Sequence, residues 1–164
     1  MASKKKSWIE KLNDSKDLPK VVKLTEDQAE KFGGKTLAIA SPMEVYDLMN
    51  SVPKGKVTTI NNLREANALK HHADKGCPIT TGIFAWIAAN AAEEMSKEGR
   101  KKTLAWWRTV KLGGELNPKY PGGAEEQAKR LQAEGIKIFR TKTGKWKVQD
   151  MDKIVYKVAE AIEL

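Results

Sequence analysis

The sequence predicts a mainly α, α+β domain of the winged-helix type, built on a helix-turn-helix and a basic β-hairpin. Residues 59–68 and 80–95 show helical periodicity and are joined by one loop. Residues 136–148 alternate around Thr143-Gly144, which is the pattern of a hairpin. With 40% apolar residues in 164, the chain can bury one sizeable core. We therefore expect one domain with extra helices at its termini.

Three segments are expected along the chain. Residues 1–40 form a basic N-terminal extension and residues 41–135 form the winged-helix domain. Residues 136–164 form the basic hairpin and a C-terminal helix, which we expect to pack on the same domain. The extension carries seven lysines: Lys4, Lys5, Lys6, Lys11, Lys16, Lys20 and Lys23.

Capping signals predict where three helices of the N-terminal half begin. Ser7 precedes apolar residues at helical spacing and can cap a short amphipathic helix. Thr25, with Gln28 three residues later, fits a capping box for a helix that ends at Gly33-Gly34. Ser41, followed by proline and then by Glu44, predicts a third helix.

The helix-turn-helix would present polar side chains to a groove. Thr59 or Asn61 can cap the first helix, and Thr80-Thr81 can cap the second. The second helix of such a pair enters a groove of nucleic acid. Its inner face is predicted to hold Ile83, Phe84, Ile87 and Ala91. The residues predicted to face the groove are Asn61, Asn62, Thr80 and Thr81.

The C-terminal third is expected to contain a buried segment, a helix, the hairpin and a last helix. Residues 104–110 are apolar, and residues 125–134 have helical periodicity that Gly135 ends. Asp150 or Asp152 can cap the final helix. The core face of that helix is predicted to hold Ile154, Val155, Val158 and Ile162.

The charge points to a polyanionic partner. The chain has 30 Lys and Arg against 21 Asp and Glu, a net charge of +9, and cations that meet phosphates release bound counterions. The basic residues cluster in the extension, in residues 97–102 and in the hairpin. No apolar run approaches the roughly 20 residues of a membrane span, and we expect a cytoplasmic protein. The predicted phosphate contacts are Lys101, Lys102, Lys142 and Lys145.

The sequence contains little that suggests catalysis. The single cysteine, Cys77, cannot form an internal disulfide and has no metal-like spacing around it. The His71-His72 pair has no carboxylate at ligand spacing, so no metal and no cofactor are expected. Hydrolase and phosphate-loop motifs do not occur.

Five motifs, in order, resemble the DNA-binding domain of the O6-alkylguanine-DNA alkyltransferases and the alkyltransferase-like proteins. The resemblance covers residues 41–135 and implies a winged-helix domain that binds duplex DNA. In the place of the family's "PCHRV" active-site motif stands Trp106-Trp107-Arg108-Thr109-Val110. The other four motifs are Val52–Thr58, Thr80–Asn90, Tyr120–Gly123 and Leu131–Gly135.

Departures from the family pattern decide the expected activity. Trp106 stands where the family has its alkyl-accepting cysteine, and Trp107 stands where it has the activating histidine. Indole offers no thiolate, so alkyl transfer onto this position is excluded. The resemblance thus implies a non-enzymatic sensor of O6-alkylguanine that flips the base and passes the lesion to excision repair. The pocket residues that it implies are Trp106, Trp107, Tyr120, Glu134 and Asn90, with Arg108 counted among the nucleic-acid-binding residues that support the site.

Several alternatives stay open. The family's phosphate-rotating tyrosine aligns with Ile60 and its stacking arginine with Thr81, so the fold could instead bind RNA or the ribosome. A second alternative is an alkyltransferase that uses Cys77. The two adjacent tryptophans could stack on a base, or they could fill the space left by cysteine and histidine. We expect a monomer.

Overall fold

The structure is a computed structural model that describes residues 6–162, and Lys4 and Lys5 lie outside this range. Within this range the chain is mainly α, with three small sheets. The helices are α1 Trp8–Asn13, α2 Glu26–Phe32, α3 Pro42–Asn50, α4 Ile60–Lys70, α5 Pro78–Lys97, α6 Gly123–Ala133 and α7 Met151–Ile154. The strands are β1 Lys20–Lys23, β2 Thr36–Ile39, β3 Thr58–Thr59, β4 Lys75–Gly76, β5 Thr109–Val110, β6 Ile138–Arg140 and β7 Trp146–Val148.

Two of the three sheets within residues 6–162 join parts of the chain that are distant in sequence. β2 lies between antiparallel β1 and parallel β4, and so joins the N-terminal segment to the loop between α4 and α5. β3 pairs in parallel with β5, with Thr58 opposite Thr109. β6 and β7 form the predicted antiparallel hairpin. The pairing of β3 with β5 places residues 106–110 beside the start of α4.

The core of the described part of the chain, residues 6–162, consists of two apolar clusters. The larger cluster lies among α1, α3, α4 and α5, where a row of alanines on α5 lets the neighbouring helices approach closely. The smaller cluster lies between α6 and the hairpin and includes Leu131 and Val148. Within residues 6–162, no helix combines the length and the apolar character that crossing a membrane requires.

Three of the predicted helix starts are confirmed. The Ser7 hydroxyl accepts a hydrogen bond from the backbone of Glu10 at the start of α1. Thr25 with Gln28, and Ser41 with Glu44, both form complete capping boxes. These signals are local, since a side-chain oxygen only has to reach backbone amides three residues away.

The start of α5 was predicted wrongly. The helix begins at Pro78, with Cys77 as its N-cap residue, because proline at the first position already has a helical φ and needs no hydrogen bond there. Thr80 and Thr81 therefore lie inside the first turn and do not cap the helix. The predicted inner face is also wrong at Ile83, whose side chain is 47% exposed.

The C-terminal segment differs from the predicted helix. α7 is one turn long, and Asp150 at its start has a left-handed backbone and makes no side-chain capping bond. Beyond it the chain is extended: Tyr156 donates its backbone N–H to Val57, and Thr58 Oγ1 donates to the Tyr156 carbonyl at 2.8 Å. Pairing with Val57 beside β3 satisfies the backbone that a longer helix would have satisfied internally. A 3-10 turn, Val158–Ala161, then buries Val158 against α4.

Candidate nucleic-acid interface

The site is built around a 3-10 turn, Trp106–Arg108, that runs directly into β5. The parallel pairing of β5 with β3 places this turn beside the N-terminus of α4. The backbone there is held by Gln127, which is fully buried on α6 and donates through Nε2 to the carbonyls of Trp107 and Thr109, at 3.1 and 3.0 Å. Its Oε1 accepts the backbone N–H of Asn117. One amide side chain thus fixes both the turn and the following loop.

Trp106 is fully buried, with 0% of its surface exposed. Its ring lies edge-on to Trp107 and to Tyr120, with centroids 5.7 and 5.5 Å away. Its Nε1 donates a 2.9 Å hydrogen bond to Glu93 Oε1 on α5. Of the two roles left open by the sequence, the geometry is that of a side chain that fills the core, since no face of this indole meets solvent.

Arg130 lies between the two indoles and the solvent. Its guanidinium carbon is 5.1 Å from the ring centroid of Trp106 and 4.9 Å from that of Trp107, within the range of cation–π attraction. The same group forms ion pairs with Glu93 at 2.8 Å and with Glu126 at 3.0 Å. A ligand that stacks on either indole has to displace this side chain.

Glu134, at the end of α6, holds the other side of the turn. Its carboxylate accepts hydrogen bonds from Trp107 Nε1 at 2.7 Å, from Arg108 Nε and Nη2, and from the Gly55 backbone at 3.2 Å. Burial raises the pKa of Glu134, but the hydrogen bonds from Arg108 and Trp107 outweigh it, and the pKa lies below its ordinary value. Glu134 therefore stays ionised and fixes the turn to the loop that precedes β3.

A cleft of about 540 Å³ opens beside Arg130 and is of a size that accepts a nucleobase. α5 and α6 form its walls, and Asn90, on α5, is directed to the Trp86 carbonyl by a 2.9 Å hydrogen bond. Trp8 of α1 closes one end. The lining residues are Trp8, Asn90, Glu93, Glu94, Lys97, Pro121, Gly122, Glu126 and Arg130.

The five predicted pocket residues fall into two places. Trp106, Trp107, Tyr120 and Glu134 are connected by ring contacts and by the indole–carboxylate hydrogen bond. Asn90 lines the cleft on the far side of Arg130. Tyr120 is buried, which raises the pKa of its phenol and keeps it neutral. None of the four connected residues lines the cleft, and the two indoles adjoin it through Arg130, which lies over both rings.

Two of the predicted nucleic-acid contacts are wrong. Thr81 is 2% exposed, and its hydroxyl donates to the Cys77 carbonyl at 2.6 Å, because it lies on the inner face of α5. Arg108 is mostly buried, and its three guanidinium nitrogens are engaged by Glu134 and by the Val52 carbonyl. Arg108 stabilises the turn and does not reach phosphate.

The remaining predicted contacts lie at or near the surface. Asn61 accepts a hydrogen bond from Arg64, Asn62 folds back onto Thr59 Oγ1 at 3.0 Å, and Thr80 is half-buried on α5. The four predicted phosphate contacts are exposed. Within residues 6–162, Lys145 is the only one of them that forms an ion pair, a 3.6 Å contact with Glu115. These four are Lys101, Lys102, Lys142 and Lys145.

Cys77 is buried as the N-cap residue of α5. Glu93, the hydrogen-bond partner of Trp106, is sixteen residues further along the same helix, which corresponds to about 24 Å of helix axis. The thiol and the tryptophan cluster are therefore separate places in the molecule.

Glu93, Gln127 and Arg130 were missed by the sequence reasoning. Glu126 and Arg130 are spaced i, i+4 on α6, a spacing that indicates an ion pair on one helix face. That signal could have drawn attention to Arg130. The pairing with Glu93 had no sequence signal, because it joins two helices 37 residues apart in the chain.

Comparison with solved structures supports the fold. The S. pombe alkyltransferase-like protein in complex with DNA aligns with a TM-score of 0.53 and 21% identity over 71% of this chain and 94% of that chain. A second structure, S. pombe Atl1 in complex with damaged DNA containing O6-carboxymethylguanine, aligns over the same shares with a TM-score of 0.49 and 22% identity. Neither a protein-family model nor a curated protein sequence matches this chain. This chain has the fold of an alkyltransferase-like protein.

Proposed function

We propose that the chain is a non-enzymatic DNA-binding protein of the alkyltransferase-like type that senses O6-alkylguanine. The observation that carries the proposal is the Trp106–Arg108 turn, which lies beside the start of α4 in a fold like that of a DNA-bound alkyltransferase-like protein. The sequence resemblance implies that Trp106 stands where the alkyltransferases have their cysteine. Indole carbon and nitrogen cannot accept an alkyl group as a thiolate does. Binding without turnover is the chemistry that this arrangement supports.

The winged-helix surface would supply the DNA contacts. In this proposal α5 enters a groove, and the exposed lysines of the 97–102 loop and of the hairpin turn neutralise phosphates on either side. Asn61 and Thr80 remain candidates for polar contacts near the helix pair. Phosphate contacts of this kind give affinity without sequence preference, and the lesion preference has to come from the cleft.

The cleft would receive a flipped base. Because Trp106 is fully buried, the base would stack on the outer side of the Arg130 guanidinium, and Asn90 would face its edge. Stacking on guanidinium is favourable for any base, and extrusion costs a few kcal/mol, with a smaller cost for a damaged pair than for an intact one. Discrimination in this proposal therefore comes mainly from the weakened pairing of the lesion.

Intrinsic tryptophan fluorescence tests the proposal. The protein is titrated with a duplex, with the same duplex carrying one O6-methylguanine, and with a structured RNA, each at two salt concentrations. Tighter binding of the lesion duplex at both salts supports the sensor. Equal binding of the two duplexes with a steep salt dependence refutes lesion sensing and leaves an electrostatic DNA binder, and a preference for RNA refutes DNA as the partner.

A mass measurement tests the absence of transfer. After incubation with the O6-methylguanine duplex, the mass of the intact protein is expected to stay unchanged. A gain of one methyl group on Cys77 would overturn the non-enzymatic assignment. The matched control is the Cys77→Ala variant, which removes the only thiol in the sequence.

Three further features belong to the proposal. We propose that the protein binds DNA as a monomer, that it passes the lesion to excision-repair proteins, and that it works in the cytoplasm, associated with the nucleoid. Light scattering of the free and DNA-bound protein checks the first: a mass of two chains per duplex site would contradict it. The second would fail if the bound protein did not change the rate of lesion excision in a cell extract.

A further inference from the structure

An apolar patch covers the outer face of the first half of α5. Ile79 is 67% exposed and Ile83 is 47% exposed, and both line one shallow cleft. Ile79 and Ile83 are four residues apart, so they project from the same face of the helix. Large aliphatic side chains in one contiguous exposed patch mark an interaction surface.

Gly82 lies between the two isoleucines. A Cβ built on it would meet no atom within 4 Å, so packing inside the protein does not require glycine there. Glycine within a helix lowers stability by roughly 0.5–1 kcal/mol relative to alanine. The residue leaves bare backbone on the exposed face, which permits close approach of a partner.

The charge around the patch favours a polyanion. Ile79, Gly82, Ile83, Trp86, Lys111, Asn117 and Lys119 line a shallow cleft of about 430 Å³, and none of these described residues is acidic. Trp86 is held in this lining by two contacts: its Nε1 donates to the Lys119 carbonyl at 3.1 Å, and its ring packs against Trp8. Two lysines beside an aliphatic ridge match a ligand with phosphates on the outside and stacked apolar faces within.

We infer that Ile79 and Ile83 are a wedge that inserts between base pairs of duplex DNA. Proteins that press aliphatic side chains into a groove unstack a base step and kink the duplex. Here the helix backbone at Gly82 would approach the groove floor, Ile79 and Ile83 would enter the stack, and Lys111 and Lys119 would meet the flanking phosphates. The inference rests on the proposed DNA binding and adds how α5 engages the duplex.

The wedge would open the duplex without the stacking arginine that aligns with Thr81 in the family pattern. A kinked step costs stacking energy, which the burial of two isoleucines offsets. A base beside an opened step is then easier to extrude toward the Arg130 cleft. Because both isoleucines are largely exposed, they would enter the duplex without a rearrangement of the folded protein.

The experiment uses a short duplex with a donor and an acceptor dye at its two ends. Binding by the wild-type protein should raise energy transfer, because a kink brings the ends together. Ile79→Ser/Ile83→Ser should lose that rise and bind on the order of tenfold more weakly, with the salt dependence unchanged. Lys111→Gln/Lys119→Gln should keep the rise but lower the slope of log K against log salt by about two.

Val21→Ser is the matched control, since Val21 is exposed to a similar degree on β1. It should behave as the wild type. The single variants Ile79→Ser and Ile83→Ser are measured as well, with circular dichroism to confirm folding, and each should reduce the rise in part.

The possible failures are distinguishable. If the wild type does not bind duplex DNA even at low salt, the proposed function fails and the wedge fails with it. If it binds without a change in energy transfer, or if the serine variants match the wild type, the wedge alone is overturned. If light scattering finds a dimer that the serine variants dissociate, the patch is an interface between two copies, which also overturns the wedge.

Discussion

Trp107 Nε1 donates a 2.7 Å hydrogen bond to Oε2 of Glu134, across 27 residues of sequence. The same carboxylate holds Arg108, so two consecutive residues of the turn are fixed by one acid. One carboxylate at the end of α6 therefore holds both side chains and fixes the turn in place.

Removal of the Glu134 charge should destabilise the protein. Glu134→Gln leaves Arg108 with a neutral partner in a mostly buried place, and a broken buried ion pair costs about 3 kcal/mol. Urea unfolding measures the loss in free energy of unfolding. Glu98→Gln serves as the control, because Glu98 forms only an exposed 3.7 Å contact with Arg100. Equal losses for the two variants would contradict the structural role of Glu134.

Stability should fall in acid because of two glutamates. Burial raises the pKa of Glu44, but the hydrogen bonds from Lys70, Ser41 and His71 outweigh burial, so this pKa lies below its ordinary value. The pKa of Glu134 is lowered in the same way. A carboxyl with a lower pKa in the folded than in the unfolded state stabilises the fold above its unfolded pKa, near 4.3. This stabilisation is lost as the pH falls through the folded pKa.

Thermal unfolding between pH 6 and pH 3 measures this dependence. The melting temperature of the wild type should drop below about pH 4.5. Glu134→Gln should show a shallower drop, since one of the two linked groups no longer titrates. A profile identical to that of the wild type would show that Glu134 does not contribute to acid sensitivity.

Trp106 should contribute more to stability than Trp107. Trp106→Ala leaves a large cavity in the core and should cost about 3–5 kcal/mol in the free energy of unfolding. Trp107→His keeps a ring nitrogen that can donate to Glu134 and should cost markedly less. Denaturant titrations of both variants check the order. A greater loss for Trp107→His would mean that packing of this indole, and not its hydrogen bond, holds the turn.

Arg130 should shield the two indoles from solvent. Arg130→Ala removes the guanidinium that covers both rings, so acrylamide should quench the intrinsic fluorescence more strongly than in the wild type. Arg100→Ala, at an exposed position outside the cleft, is the control and should leave quenching unchanged. Unchanged quenching in Arg130→Ala would show that the indoles are covered by other groups.

Substitution of Gly82 should change the stability of the protein and its affinity for DNA in opposite directions. Gly82→Ala is expected to raise the free energy of unfolding by roughly 0.5–1 kcal/mol, because alanine favours the helix and meets no neighbour. The same change should weaken duplex binding, since the added methyl group keeps the backbone from the groove. Binding that stays equal or improves would show that the bare backbone has no part in the contact with DNA.

The sequence alone determined the features that depend on neighbouring residues. The capping boxes at Thr25 and Ser41 and the hairpin around Thr143-Gly144 follow from hydrogen bonds and turns that span only a few residues. That Trp106 offers no thiol nucleophile also follows from the sequence, since it depends on residue chemistry at one position. The helix pair itself was also predicted, although the N-cap of α5 is Cys77, three or four residues before the predicted Thr80-Thr81.

Only the tertiary structure decided which of these residues are available to a ligand. Periodicity assigned Ile83 to the core and Thr81 to the groove, whereas the neighbours of α5 expose the isoleucine and bury the threonine. Arg130 covers the ring of Trp106, and Glu134 forms an ion pair with Arg108. Both contacts join elements that are far apart in the chain. Burial and ion pairing at long range depend on how helices are rotated and packed, which a local pattern does not specify.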